Sequence, residues 1–178
     1  MARIGRRMLR KFSLDEVNNL DRESFVGKFG TLYEHSPWVA EAASETRPFD
    51  SLDEMHDAFT RVVREAAAER RMSLIKAHPD LAGKAAMAGD LTPESNREQS
   101  SAGLDRLSPE EYEVFTELNR LYKEKFGIPM IFAVRDHTKD SILANARDRL
   151  ENTTNEEEAT ALQEIFKIGR YRLEEAVE

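Results

Sequence analysis

Residues 108–135 read SPEEYEVFTELNRLYKEKFGIPMIFAVR, and this stretch decides the fold class. Ser108 followed by Glu111 has capping-box spacing, so a helix is expected to begin there. Tyr112, Phe115, Leu118, Tyr122 and Phe126 then recur at helical spacing. Gly127 closes that helix and Pro129 prevents its return. Beyond the stop, Met130-Ile131-Phe132-Ala133-Val134 is the only run in the chain that looks extended. A single short run cannot make a sheet. It is either a strand-like connector or the start of another buried helix.

The same helical signals extend in both directions. Ser13 with Glu16 and Ser51 with Glu54 repeat the capping-box spacing. Thr92 before Pro93 is a further start, because proline suits the first helical turn. Phe25, Val26, Phe29, Leu32 and Tyr33 form one helical stripe, and Leu162, Ile165, Phe166, Gly169 and Leu173 form another. At a mean helix length of about 11 residues, the expected fold is an all-α, single-domain bundle of roughly seven to nine helices. No internal repeat, low-complexity tract or interdomain linker interrupts it. The stretch from Gly83 to Asp90 is the loosest internal segment.

The 178 residues suit one domain able to bury a core. A hydrophobic fraction of 40% with 34% charged residues describes a globular chain rather than a disordered one. No run approaches the ~18 apolar residues of a membrane span. The chain has no cysteine, which excludes disulfides, cysteine metal sites and cysteine nucleophiles together and fits a reducing cytosol. Net charge is -8. Residues 1–12 hold Arg3, Arg6, Arg7, Arg10 and Lys11 without an acid, so the acidic body argues against nucleic-acid binding. The basic leader has no apolar core and is not a secretory signal. A targeting segment, a nucleic-acid arm and a frayed terminus are its readings, the last being the plainest. The domain is expected over 13–178. Its end, Ala176-Val177-Glu178, is not a peroxisomal tripeptide, and a cytoplasmic location is expected.

Four histidines are candidates for chemistry: His35, His56, His78 and His137. None pairs with another at i, i+3 or i, i+4, so no helical dihistidine metal site exists. His78 precedes Pro79, and proline pushes the residue before it out of the helical region. It therefore lies where a helix ending at Ala77 must break. It either caps that helix at the negative end of the dipole or faces a cavity from a packed position. In the segment from Ser95 to Leu104, the residues Ser95, Glu98, Gln99 and Ala102 share one face. No face there is strongly apolar before Leu104, so the helix is either solvated or lines a pocket with its polar stripe. The run Met130 to Val134 followed by Arg135 is either core ending in a surface arginine, or backbone amides and a guanidinium offered to a carboxylate. No glycine-rich phosphate loop is present.

Taken together, these segments resemble the 2-oxo-4-hydroxy-4-carboxy-5-ureidoimidazoline decarboxylases, or OHCU decarboxylases. The matching pieces are Leu32-Tyr33-Glu34-His35-Ser36-Pro37-Trp38, Arg47-Pro48-Phe49 and His78-Pro79-Asp80-Leu81-Ala82-Gly83. They continue with Ser95, Glu98-Gln99 and Ala102-Gly103-Leu104, then Leu118-Asn119 with Tyr122, and Phe126-Gly127-Ile128-Pro129. Each piece alone is a weak pattern; their order and spacing are specific. The resemblance runs from about Phe25 to the last helix. It implies an all-helical homodimer without metal or organic cofactor. It also implies His78 as the catalytic histidine with Glu98 as its carboxylate partner. Pro79, Ser95 and Gln99 match substrate-contacting positions. Met130, Ile131, Phe132, Ala133 and Val134 match the stretch supplying backbone contacts, with Arg135 just beyond. Relatives commonly read Gly-Phe-Pro-Phe where this chain has Gly127-Ile128-Pro129-Met130, a departure that reshapes one pocket wall.

What the resemblance implies for activity is cofactor-free decarboxylation of OHCU to (S)-allantoin and CO2, the third step from urate to allantoin. The expected partner is that small molecule, with no nucleic acid and no membrane. His78 is expected to act as general acid/base, because its ordinary pKa near 6.5 suits that task. Glu98 is expected to orient the imidazole or to hydrogen-bond the substrate. The rivals are another ureide hydrolase or lyase on the same scaffold, and a helical binding module with a solvated 93–104 helix and no cleft at His78. A Schiff-base enzyme using Lys76 or Lys84 is a third.

Overall fold

The computed structural model describes residues 10–178, so the first nine residues of the basic leader lie outside the described residues. The chain runs through α1 (Leu14–Asn19), α2 (Arg22–Phe29), α3 (Pro37–Ser44), α4 (Leu52–Glu65) and α5 (Ala68–Ala77). It continues through α6 (Lys84–Ala88), α7 (Pro93–Ser101), α8 (Pro109–Phe126), α9 (Lys139–Arg149) and α10 (Thr154–Ala176), with a 3-10 turn at Val134–Asp136. The class is all-α, and among the described residues eight of these helices have eight residues or more. Phe12 pairs with the far end of the chain: its N–H donates to Ala176 and its carbonyl accepts from Glu178.

The caps follow the sequence closely. Ser13 with Glu16 and Ser108 with Glu111 close both bonds of the capping box. Ser51 caps α4, but the Glu54 carboxylate takes the N–H of Asp50 instead of Ser51. Gly127 ends α8 at φ 68°, a left-handed conformation that glycine adopts without strain. Two expectations shift. The Phe25–Tyr33 stripe is helical only to Phe29, and Leu32 and Tyr33 are buried from the turn that follows. The loose Gly83–Asp90 stretch contains the short α6.

The Met130–Val134 run is a connector. It passes through the core without regular structure as far as Ala133, Val134 opens the 3-10 turn, and all five residues are buried. Without a neighbouring strand its polar backbone needs other partners. Side chains supply two of them: the Ala133 N–H donates to Glu164 Oε2 at 2.8 Å, and the Ile131 carbonyl accepts from Arg149 Nη1 at 2.8 Å.

Helix α10 organises the bundle. Its buried positions include Ala161, Ile165, Ile168 and Leu173, and also three charges, Glu157, Glu164 and Arg172. Gly169 sits directly against the buried ring of Tyr33, which stacks on Phe59 at 6.2 Å. A Cβ at 169 meets Tyr33 Cζ and its hydroxyl at 2.9 Å. Alanine for glycine inside a helix normally gains about 0.5–1 kcal/mol. Overpacking a rigid buried ring costs about 1–3 kcal/mol, so the clash wins. Gly169→Ala is expected to lose about 1–2 kcal/mol in a urea melt. An unchanged or higher midpoint contradicts this packing.

Candidate active site

His78 caps α5, with φ -73° and ψ 140°. The Pro79 ring forces this extended backbone, as the sequence predicts. The cap N–H donates to the Ile75 carbonyl at 3.1 Å, and ring Nδ1 lies 2.9 Å from the Leu74 carbonyl. A carbonyl oxygen only accepts, so Nδ1 holds the ring proton and Nε2 carries a bare lone pair. Nε2 is buried and has no hydrogen-bond partner among the described residues. Burial drives the His78 pKa down to about 4, against the opposing pull of the Leu74 bond and the Glu34 charge; Arg172 and His35 add to the lowering. The imidazole is therefore neutral at pH 7, a base with an available electron pair.

His78 lines a small cavity of about 30 Å³, roughly one water in size. His78, Pro79 and Leu81 line one side, and Ser95, Glu98 and Gln99 line another from α7. Ile131, Phe132 and Val134 come from the connector, and Ile168 and Arg172 from α10. Beside it lies an open cleft of about 560 Å³, which shares Glu98 and Val134 with the cavity and adds Arg97, Arg106 and Arg135. The larger cleft does not reach the imidazole; the small cavity does.

The α7 stripe is therefore not solvated: Ser95 and Gln99 are buried and Glu98 is 26% exposed. Glu98 shares the cavity with His78 but does not orient it. The Leu74 carbonyl does that, and the Glu98 carboxylate is held by Arg172 in a two-bond fork, Nε to Oε1 at 2.7 Å and Nη2 to Oε2 at 2.8 Å. The Gln99 amide bonds the loop after His78, accepting from the Ala82 N–H at 2.9 Å and donating to the Asp80 carbonyl at 3.2 Å. Asn119 adds a bond to the Leu81 carbonyl at 2.8 Å. These bonds hold Ala82 at φ 50°, a conformation uncommon outside glycine.

Of the connector, Met130 and Ala133 are buried but do not line the cavity. Among the described residues no hydrogen-bond acceptor lies against the amides of Ile131, Phe132 or Val134. Arg135 faces the outer cleft, paired with Glu175 and stacked over Tyr171 at 4.7 Å. Lys76 and Lys84 are exposed and outside the cavity, which removes the support for a Schiff base. Among the described residues no cluster of three or more His, Asp or Glu could hold a metal ion. No helix among them is long and apolar enough to cross a membrane.

Two residues escaped the sequence reading. Arg172 is a buried cation near the C-terminal end of the α10 apolar stripe, and that interruption of the pattern is its only signal. Glu34 stands in the Leu32–Trp38 segment, whose composition does not reveal that its carboxylate is 2% exposed. Burial raises the Glu34 pKa, but the Ser95 hydrogen bond and the Arg172 charge outweigh it and hold the carboxyl below its ordinary range.

Residues 18–174 match the family described as OHCU decarboxylase. A 2-oxo-4-hydroxy-4-carboxy-5-ureidoimidazoline decarboxylase of Haloferax volcanii is 44% identical over 94% of this chain and 97% of its own length. A uric acid degradation bifunctional protein of Bacillus subtilis is 40% identical over 93% of this chain, which spans 33% of that longer protein. The crystal structure of an (S)-allantoin synthase superposes with a TM-score of 0.75 at 26% identity, covering 93% of this chain and 54% of that one.

Proposed function

The chain belongs to the OHCU decarboxylase family, and from that premise we propose that it converts OHCU to (S)-allantoin and CO2, the third step from urate to allantoin. One observation carries the reading: a buried, neutral imidazole, whose Nε2 has no hydrogen-bond partner among the described residues, lines a cavity together with Arg172 and Glu98.

The substrate supplies its own electron sink. Its carboxylate sits on a ring carbon next to a C=N bond, so no cofactor is needed to accept the electron pair. The C–CO2 bond breaks, CO2 leaves, and the pair moves into that C=N while its nitrogen takes a proton from water. The hydroxyl then gives up its proton, and the neighbouring ureido-bearing carbon gains one as the carbonyl forms. In this reading His78 Nε2 takes the hydroxyl proton and returns it to that carbon on one ring face. This single-face delivery gives one enantiomer. Arg172 pairs with the departing carboxylate and holds it out of the ring plane. The amides of Ile131, Phe132 and Val134 read the ring and ureido oxygens. A cavity of about 30 Å³ does not hold this substrate. Entry therefore joins it to the outer cleft across Glu98, which leaves Arg172 as the substrate carboxylate arrives.

The reading includes a homodimer, no resident cofactor and a cytoplasmic location. The resemblance supports the first two, and the absence of cysteine supports the third. The direct test supplies OHCU freshly made from urate by urate oxidase and hydroxyisourate hydrolase and measures CO2. Release in proportion to added protein is expected; release at the spontaneous rate overturns the proposal.

A pH profile gives a second check. The base is active above its pKa, so kcat/KM is lost as pH falls through about 4 rather than through the ordinary 6.5. At pH 5.5 a histidine of ordinary pKa is about nine-tenths protonated, and one of pKa 4 only about 3%. Near-full kcat/KM at pH 5.5 is expected, and a tenfold loss there contradicts a buried neutral base. The same depressed pKa makes the unfolded chain bind the proton more readily between 6.5 and about 4, so stability falls with acidification across that window. Rates are therefore taken over short incubations.

A further inference from the structure

One oxygen of Glu34 is the meeting point of three parts of the chain. Glu34 Oε1 accepts from Arg172 Nη2 at 3.0 Å, from Thr92 Oγ1 at 3.0 Å and from the Ser95 hydroxyl. Thr92 is the N-cap of α7 and Ser95 lies in its first turn. Arg172 comes from α10, and Glu34 itself from the turn before α3. That turn is fixed locally, because Ser36 Oγ donates to the Glu34 carbonyl at 2.9 Å. Glu34 does not line the cavity; Ser95 and Arg172 do.

The arrangement differs from a simple ion pair. Arg172 has two carboxylate partners, Glu98 on the cavity wall and Glu34 behind it. Glu98 is the more exposed of the two, at 26% against 2% for Glu34. When the substrate carboxylate replaces Glu98 on the guanidinium, Glu34 is the partner that stays. A buried arginine left without any fixed carboxylate is costly and free to swing. With Glu34 in place, the fork keeps one orientation while its outer partner changes.

We propose that Glu34 is a positioning residue for this reaction: its buried carboxylate anchors the Arg172 guanidinium and the Ser95 hydroxyl so that both face the substrate in a fixed direction. This inference rests on the decarboxylase reading of the cavity. Glu34 also bears on the base. The charged or titratable groups acting on His78 are Glu34 and His35 from the turn before α3, and Arg172 from α10; Glu98 of α7 lines the same cavity. Glu34 is the carboxylate whose charge favours protonation of His78.

The test is Glu34→Gln, which keeps length and shape and removes the charge. Turnover of fresh OHCU is measured together with the NMR titration of the His78 ring and the melting temperature. The expected result is a kcat/KM at least tenfold lower, carried mainly by a higher KM, with the His78 midpoint moved to lower pH. A role in folding alone moves the melting temperature and neither of the other two readouts. Wild-type kcat/KM with an unmoved midpoint overturns the inference, as does a loss that only tracks the folded fraction. If Glu34→Gln does not fold, Glu34→Asp carries the test: withdrawing the carboxylate by one methylene is expected to lower kcat/KM severalfold in a folded protein. Wild-type kcat/KM in that variant also overturns the inference. Activity of the unsubstituted protein in the same assay separates the two levels. If it is absent, the decarboxylase reading fails and takes this inference with it. If it is present and Glu34 variants match it, the inference fails alone.

Discussion

His78→Asn lowers kcat/KM by about 10²–10⁴-fold, the range expected for removing a positioned general base. Asparagine is chosen because its amide nitrogen reaches about as far as Nδ1. It preserves a donor for the Leu74 carbonyl, which His78 meets at 2.9 Å. What it removes is Nε2, the buried acceptor with no partner among the described residues. The fold should persist, so a helical circular dichroism spectrum and a normal melt accompany the lost activity. His78→Ala is expected to lose as much activity and also some stability, because it opens a gap at the end of α5. Full turnover in either variant removes the imidazole from the chemistry.

The largest expected effect on stability lies on the other side of the connector. Glu157 is fully buried, and Arg149 is 11% exposed. Glu157 accepts from Arg149 Nε at 3.0 Å and from Arg149 Nη2, from the Tyr122 hydroxyl at 3.1 Å, and from Asn152 Nδ2 at 3.0 Å. Arg149 in turn holds the Ile131 carbonyl and lies over the Phe132 ring at 4.4 Å. Glu157→Ala leaves a buried guanidinium and a buried phenol without their acceptor. Breaking a buried pair in this way costs about 3–5 kcal/mol. Urea unfolding should show a lower midpoint with an unchanged slope, and Tm should fall by about 10 °C. A loss under about 1 kcal/mol contradicts the view that this pair holds the cavity wall.

Much of this architecture is legible in the sequence because its causes are local. Ser13, Ser108, Gly127 and the His78-Pro79 junction act within four residues of themselves, and each ends or begins a helix where the spacing says it should. The Met130–Val134 run is legible as a connector, one of the two readings that the sequence leaves open. What pins it is not legible, because Glu164 lies 31 residues from Ala133 and Arg149 lies 18 from Ile131. The same reason hid Arg172. Its partners Glu98 and Glu34 are 74 and 138 residues away, and a lone arginine on an apolar stripe does not announce them. His78 and Glu98, expected to act together, line one cavity, but no hydrogen bond joins them. The ring turns to the Leu74 carbonyl because a helix C-terminus offers an acceptor four residues back. The Arg172 guanidinium, complementary to a carboxylate in charge and geometry, takes Glu98.

The central claim is that this cavity decarboxylates OHCU and delivers a proton to one face of the ring. The most direct measurement follows circular dichroism as OHCU is generated in place from urate, with and without the protein. The predicted result is a signal of one sign, that of (S)-allantoin, growing at a rate proportional to protein and absent with His78→Asn. Formation of racemic allantoin at the same slow rate in both samples contradicts the account.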